Sequence, residues 1–263
     1  KEGKKINNQS VEECLKGSDL HIAGTAWSSD LEIYSTIKAK EKSIYTISVL
    51  DHWVSYRERF IFKGQLVLPD EVWVSDETAK GIISNLFPDL KVSLLPNLWM
   101  NNLKNKVNYY SSIAKREREI PGINLLYLLE PIKKSDQWDT QKNEKCEFDA
   151  LRYFYDNFKI LQKLNLINKK NDAINIRFRL HPSEKKVKYS NFLMQFKSLI
   201  NFSISSSQNL EQDLAWCDIA LGIETQALIC ALECGITAIS SKPLWAGECN
   251  LPHKKLLKLS TMK

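Results

Sequence analysis

Short apolar, β-branched stretches alternate along this chain with longer stretches of helical periodicity. Apolar runs of four to eight residues are typical of buried strands, whereas apolar residues three or four positions apart indicate amphipathic helices. Strands that alternate with helices favour parallel sheets with right-handed crossovers. The fold class is therefore predicted as α/β, with strands at 19–27, 43–50, 71–75, 92–95, 123–129, 174–180, 201–205, 218–221 and 236–240.

A polar segment at 101–119, rich in Asn, Lys and Arg, separates two groups of these elements and is interpreted as a linker. We expect two Rossmann-like, doubly wound parallel-sheet domains, an N-terminal one at 1–118 and a C-terminal one at 119–263. The N-terminal domain is short for such a fold. The helices are predicted at 10–16, 28–42, 76–86, 148–166, 183–199, 208–216 and 225–234.

Composition and charge exclude several classes of protein. The 263 residues carry a net charge of +6, and no Lys/Arg stripe interleaves with aromatics, so we expect no nucleic-acid partner. Six cysteines lack CxxC or zinc-type spacing, which predicts no metal site and a reducing compartment. Neither a signal peptide nor an 18-residue apolar run is found. The expected localisation is cytoplasmic.

The segment from Arg179 to Glu184 is the first candidate for a ligand site. His181 follows the predicted strand 174–180, where it would donate a hydrogen bond to a phosphate oxygen, and Arg179 would point to the same face. Pro182 suits the first position of a helix, whose N-terminus attracts phosphate, and Ser183 and Glu184 favour its first turn. The structural alternative is that His181 caps the helix and Arg179 pairs with a surface acid.

A second candidate begins with Gly222, where the next strand turns into a helix. Gly222 permits a tight turn, Glu224 would accept hydrogen bonds from ribose hydroxyls, and Thr225 would cap the helix and contact phosphate. Capping alone is the alternative for Glu224 and Thr225. Three serines stand at the end of another strand: Ser205, Ser206 and Ser207. Their hydroxyls would bind phosphate or base; the alternative is a loop that caps the next helix.

The first half offers Asp51 and His52 at the end of strand 43–50. Either side chain is a candidate base for an attacking hydroxyl, and the alternative is that Asp51 caps a helix while Trp53 packs beneath it. No G-x-G-x-x-G or Walker A motif is present, which argues against standard NAD or P-loop sites. Two such domains are expected to form a cleft, which Gly24 and Thr25 are predicted to line. Arg57 and Arg59 are predicted to bind an anionic acceptor or the carboxylate of the donor.

Residues 123–245 resemble the donor-nucleotide domain of GT-B glycosyltransferases. The resemblance rests on Glu130-Pro131, His181-Pro182 and the segment 218–228 with its Ala-Leu-x-x-Gly ending at Gly235. The His-Pro pair is similar to that of bacterial sialyltransferases and Kdo transferases, which implies that His181 binds the phosphate of a CMP-sugar and that Asp51 is the base. The acidic motif of several sialyltransferase families is absent; Asp51-His52-Trp53 stands in its place. Set against this fold, the chain is expected to lack N-terminal βα units.

The predicted activity is that of a glycosyltransferase in cell-surface polysaccharide synthesis. It would move an acidic sugar from a CMP-sugar to a glycan or lipid-linked glycan acceptor, without a metal or other cofactor, in peripheral contact with the cytoplasmic membrane face. Three alternatives stay open: a sugar-nucleotide 2-epimerase, a teichoic-acid-type polyol-phosphate transferase, and a non-catalytic nucleotide-sugar-binding protein.

Overall fold

The structure is a computed structural model that describes residues 10–26, 29–114, 122–132, 146–163, 173–194 and 201–262. Two compact units, residues 1–97 and 98–263, divide the chain. Each unit is built on a parallel sheet with helices in the crossovers. The predicted fold class, two Rossmann-like α/β units, is confirmed.

The first unit contains a four-stranded parallel sheet in the order β1-β2-β5-β6. Its strands are β1 (Leu20–Ala23), β2 (Tyr45–Val49), β5 (Glu71–Val74) and β6 (Lys91–Leu94), and its helices are α1 (Val11–Cys14), α2 (Leu31–Glu41) and α3 (Glu77–Leu86). A short 3-10 helix (Glu58–Phe60) and a hairpin of β3 (Ile61–Phe62) and β4 (Gln65–Leu66), not predicted from the sequence, lie between β2 and β5.

The second unit contains a six-stranded parallel sheet in the order β12-β11-β10-β7-β8-β9. The strands are β7 (Gly122–Leu128), β8 (Ala173–Arg179), β9 (Asn201–Ile204), β10 (Ile219–Gly222), β11 (Thr237–Ser240) and β12 (Leu257–Lys258). The helices are α4 (Leu98–Ala114), α5 (Cys146–Lys163), α6 (Ser190–Leu193), α7 (Leu210–Trp216) and α8 (Gln226–Glu233), with 3-10 turns at Lys186–Lys188, Leu244–Ala246 and Leu259–Thr261.

The core of this second unit lies between its sheet and α5. Leu151, Phe154 and Phe158 recur at helical spacing and are buried against Tyr127 of β7 and Phe178 of β8. Five consecutive residues of β7, from 124 to 128, are buried. Unbroken burial of this kind is expected of a strand that is covered on both faces.

The predicted linker at 101–119 is wrong over its first part, because residues 101–114 belong to the long helix α4. Met100, Leu103 and Val107 lie on one face of this helix and are buried. Lys104 and Lys106 form ion pairs with Glu233 of α8 and Glu211 of α7. The division between the units therefore falls before α4, at 97/98, whereas the sequence predicts it at 118/119. Residues 115–119 lie outside the described ranges.

The predicted helix at 183–199 is also wrong in its first turns. Pro182 and Ser183 form a turn, in which the Glu184 amide donates to the His181 carbonyl at 2.9 Å. The short helix α6 begins only at Ser190, and 195–199 lie outside the described residues. Pro182 is therefore not the first residue of a helix, and no helix N-terminus faces a ligand at this position.

Candidate functional site

The strand order of the six-stranded sheet reverses beside β7. Strands β8 and β9 lie on one side of β7, whereas β10, β11 and β12 lie on the other. In open α/β sheets, ligands bind outside the carboxyl ends of the strands at such a reversal. The residues that follow β7 and β10 therefore form the candidate site.

Gly222 ends β10 in close contact with the neighbouring strand. A Cβ atom at this position would lie 3.2 Å from Thr225 Cγ2 and 3.3 Å from the Leu128 carbonyl oxygen. Two residues after Ile223, Thr225 caps α8, and its hydroxyl accepts a hydrogen bond from the Ala227 amide at 3.3 Å. The tight turn and the cap bring the N-terminus of α8 to the carboxyl edge of the sheet.

Glu130, which follows β7, lies directly beside this turn. Its Oε2 accepts a hydrogen bond from the Glu224 amide at 2.9 Å, so it bridges the two strands of the reversal. Burial, with a smaller contribution from the nearby Glu224 carboxylate, raises the pKa of Glu130 to about 7. From the sequence, Glu130 contributes only to the resemblance to GT-B glycosyltransferases and is not predicted as a site residue. An acid directly after a buried strand was the available signal.

The carboxylate of Glu224 is already engaged by protein groups. Its Oε1 accepts hydrogen bonds from Lys242 Nζ at 2.9 Å and from the Asn250 amide at 2.5 Å. Lys242, which is 5% exposed at its side chain, also donates to the Glu248 carbonyl at 2.8 Å. Glu224 thus ties the loop 242–250 to the start of α8. A role in binding ribose stays a prediction for this residue.

Arg179 makes contacts that favour the structural alternative. Its Nη1 donates to Asp213 Oδ2 at 2.6 Å, and the Asp213 carboxylate is fully buried and also pairs with Arg177. The guanidinium further donates to the carbonyls of Ser207, Gln208 and Asn209. The partner is a buried acid, not the surface acid of the structural alternative, and Arg179 orders the loop after β9.

The serine run shares this network. Ser205 Oγ donates to Asp213 Oδ2 at 2.6 Å and accepts the Ser207 amide at 3.1 Å, while the Ser206 residue is exposed. These contacts build a closed turn beside α7. Within the run 205–207, only Ser206 is an exposed residue that could contact a ligand.

His181 is exposed and lies after β8, one strand away from the reversal. Because β8 and β10 are separated only by β7, their ends lie roughly 10 Å apart, twice the usual spacing of strands. The Ser183 amide donates to His181 Nδ1 at 3.2 Å, and Ser183 Oγ lies 2.7 Å from the same nitrogen. With Nδ1 as acceptor, a neutral ring carries its proton on Nε2, which is a donor suited to a phosphate oxygen.

Glu184 helps to hold the turn that carries His181. Lys188 forms ion pairs with Glu184 at 2.5 Å and with the buried Glu147 of α5 at 2.6 Å. These two acids therefore attach the turn after β8 to α5 through one cation. No local pattern predicts this arrangement, because Glu147 is remote in sequence.

Asp51 and His52 follow β2 in the first unit. The Asp51 side chain is 84% exposed and lies 3.9 Å from Arg59 Nη1. His52 Nδ1 accepts a hydrogen bond from the Trp53 amide at 3.0 Å. Burial, followed by the charge of Arg59, lowers the pKa of His52. Trp53 is buried and donates to Asp76, so it packs as the structural alternative expects.

A pocket of about 210 Å³ lies beside these residues in the same unit, and Gly24, Thr25 and Arg59 are among those that line it. The Arg59 side chain is 5% exposed and donates to the carbonyls of Thr25 and Val54. Binding of an anionic acceptor or donor by Arg59 stays a prediction. Arg57 is exposed. Pairing of Asp51 with His181 in one reaction stays a prediction, because the two residues belong to different units.

Metal-binding clusters and membrane-spanning helices are both absent from the described part of the chain. Over the described ranges, no group of three or more His, Cys, Asp or Glu side chains is arranged to hold a metal ion. Within the same residues, no helix is both long and apolar enough to cross a bilayer.

No protein-family model matches this chain, and no curated protein matches it either. Its fold does match solved structures. A putative UDP-N-acetylglucosamine 2-epimerase from Listeria monocytogenes has a TM-score of 0.56 at 8% identity, over 89% of this chain and 60% of that chain. The UDP-GlcNAc 2-epimerase of Methanocaldococcus jannaschii gives 0.52 at 13% identity, over 90% and 67%.

MurG of Acinetobacter baumannii matches with a TM-score of 0.51 at 10% identity, over 97% of this chain and 65% of that chain. The chain thus spans 60% to 67% of the length of these three structures. None of the three is named as a sialyltransferase or a Kdo transferase, so that finer resemblance stays a prediction. What the likeness shows is the fold, two Rossmann-like units of the GT-B type.

Proposed function

We propose that this chain is a glycosyltransferase of the GT-B type that uses a nucleotide sugar as its donor. The observation that carries the proposal is the capped N-terminus of α8, which lies at the reversal of strand order next to Glu130. The helix dipole and the backbone amides at the start of a helix favour a phosphate group. The likeness of fold to two UDP-GlcNAc 2-epimerases supports a nucleotide-sugar ligand.

The favoured donor is a CMP-linked acidic sugar, a preference that comes from the His181-Pro182 pair. In the proposed reaction, an acceptor hydroxyl attacks the anomeric carbon, and the bond from that carbon to the phosphate oxygen breaks. His181 Nε2 and the N-terminal turn of α8 stabilise the departing CMP. A well-placed donor of this kind contributes about 3–4 kcal/mol to the transition state. The scheme needs neither a metal nor another cofactor.

Asp51 is proposed as the base that takes the proton of the acceptor hydroxyl. His52 suits this role less well, because its Nδ1 already accepts the Trp53 amide and Nε2 then carries the proton. The proposed acceptor is a glycan or lipid-linked glycan of a cell-surface polymer. The net charge of +6 would favour peripheral contact with the anionic cytoplasmic face of a membrane.

A sugar-nucleotide 2-epimerase is the second candidate, and two of the matched structures favour it. The two functions differ in the nucleotide that they require and in their product. A polyol-phosphate transferase would instead give a phosphodiester product, and a non-catalytic protein would bind a nucleotide sugar and leave it unchanged.

The test is a thermal-shift panel with CMP, CDP, UDP, GDP and UMP, followed by product analysis with the nucleotide sugar that corresponds to the ligand found. A ligand at a hundredfold excess over its Kd stabilises the folded state by about 2.7 kcal/mol. A shift with CMP alone supports the proposal, whereas a shift with UDP alone supports the epimerase instead. The absence of a shift with every nucleotide would refute both.

A further inference from the structure

We propose that Glu130 is a positioning residue for the nucleotide site, acting through the backbone of Glu224, and that it gains a proton when the nucleotide binds. The inference rests on the proposed function and names a residue that the catalytic scheme does not use. Glu130 follows β7 and reaches across to β10, where its Oε2 holds the Glu224 amide at 2.9 Å. Without this bond, the turn between Gly222 and Thr225 would lose its anchor to the neighbouring strand.

Glu224 is held from two directions. Glu130 holds its amide, while Lys242 and the Asn250 amide hold its carboxylate at 2.9 and 2.5 Å. The positive charge of Lys242 is therefore matched by Glu224. Within the described residues, the charged and titratable groups that face Glu130 are the Glu224 carboxylate, the Lys242 ammonium group and the Tyr127 phenol, and its own hydrogen bond is to a neutral amide.

A carboxyl group in this position changes its charge in the neutral pH range. Burial raises the pKa of Glu130 to about 7, against an ordinary value of 4.5. A carbonyl oxygen of the neutral acid can still accept the Glu224 amide, so protonation keeps the turn in place and removes one negative charge. A nucleotide phosphate bound at α8 opposes that charge, and binding therefore favours the protonated form.

Linkage gives the sign of the effect. Because the bound nucleotide raises the pKa of Glu130 further, affinity falls as the pH rises and binding takes up a proton. Two unit charges within roughly 12 Å of each other, at an effective dielectric constant of about 20, weaken binding by about tenfold or more. We expect the wild type to lose about five- to tenfold more affinity for CMP between pH 6 and pH 8 than Glu130→Gln.

Calorimetric titration of the protein with CMP, at pH 7.5 and in buffers of different ionisation enthalpy, measures the proton uptake. The Glu130→Gln variant keeps the size of the side chain and an acceptor for the Glu224 amide, but its amide group cannot titrate. The ligand and every other side chain are the same in both proteins, so the difference in proton uptake belongs to Glu130. Equal proton uptake and equal pH profiles in the wild type and Glu130→Gln would overturn the inference.

A second readout does not depend on any nucleotide. In Glu130→Leu the amide of Glu224 has no acceptor, and we expect its hydrogen exchange to be at least about tenfold faster than in Glu130→Gln. Amides of residues 125–127 in the core serve as the folding control. If the wild type binds no nucleotide, the proposed function fails, while this comparison still tests the positioning role; equal exchange rates in the two variants would refute that role.

Discussion

At the residue scale, His181 is the side chain on which the proposed chemistry depends most. It is exposed, and its ring nitrogen contacts only Ser183 among the hydrogen bonds described here. We expect His181→Ala to lower the rate of sugar transfer by about 100-fold, because one donor to the leaving phosphate is lost, and to leave the melting temperature unchanged. His181→Gln keeps a donor and should retain part of the rate. Transfer by His181→Ala at the wild-type rate would remove His181 from the mechanism.

Asp213, in contrast, contributes to the stability of the fold. Its buried carboxylate pairs with Arg177 and Arg179, so Asp213→Ala leaves two partly buried cations without their acid. Removing one partner of a buried pair costs about 3–5 kcal/mol in free energy of unfolding. Glu211→Ala is the control on the same helix, since its ion pair with Lys106 lies nearer the surface and is worth about 1 kcal/mol or less. Urea denaturation measures both, and equal losses would contradict this account of Asp213.

The residue scale also shows where sequence reasoning stops. The positions of His181, Gly222 and Thr225 near strand ends could be predicted, because the apolar pattern marks where each strand stops. The partner of Arg179 could not, because Asp213 is 34 residues away and only the pairing of β8 with β9 brings α7 beside it. Glu130 lies beside Glu224 because β7 and β10 are neighbours in the sheet, and no local pattern in the sequence specifies that strand order.

At the element scale, the turn from β10 into α8 depends on the absence of a side chain at Gly222. An added Cβ would press on the Leu128 carbonyl at 3.3 Å, and backbone cannot yield as a flexible side chain does. We expect Gly222→Ala to lower the free energy of unfolding by about 1–3 kcal/mol. The matched control is Gly81→Ala in the middle of α3, where a Cβ meets nothing within 4 Å.

Gly81→Ala should instead raise the free energy of unfolding by about 0.5–1 kcal/mol, because alanine favours a helix more than glycine does. Thermal or urea denaturation of both variants is sufficient. A Gly222→Ala protein as stable as the wild type would mean that β10 and β7 are not packed as closely as described.

Helices were the harder elements to predict. Residues 101–114 are mostly polar, and the sequence therefore predicts a linker. In the structure, Met100, Leu103 and Val107 form a buried stripe that packs α4 against the second unit. After His181, the chain forms a turn and a 3-10 segment first, since Lys188 is drawn to Glu147 and Glu184. Tertiary contacts decided both cases, whereas the strand pattern predicted nine strands of the two parallel sheets and missed the short edge strand β12.

At the scale of the whole molecule, acid should destabilise the first unit through Glu71. Hydrogen bonds from Lys91 first, then Ser93, lower the pKa of this buried carboxylate to about 2 from 4.5. Its folded pKa lies below its unfolded pKa, so its contribution to stability is complete above pH 4.5 and is lost as the pH falls towards 2. Glu71→Gln should flatten this acid limb when urea midpoints are compared at pH 3 and pH 6. A wild-type midpoint that falls no more than that of the variant would contradict the assignment.

The central claim is that a nucleotide binds at the carboxyl edge of the six-stranded sheet, where the strand order reverses. Hydrogen exchange with and without saturating CMP tests it most directly. Binding of CMP at this edge should slow the exchange of the amides at 223–227, at the start of α8, and leave the exchange at 77–86 in α3 unchanged. Binding of CMP that leaves 223–227 unprotected, or that protects another part of the chain instead, would contradict it.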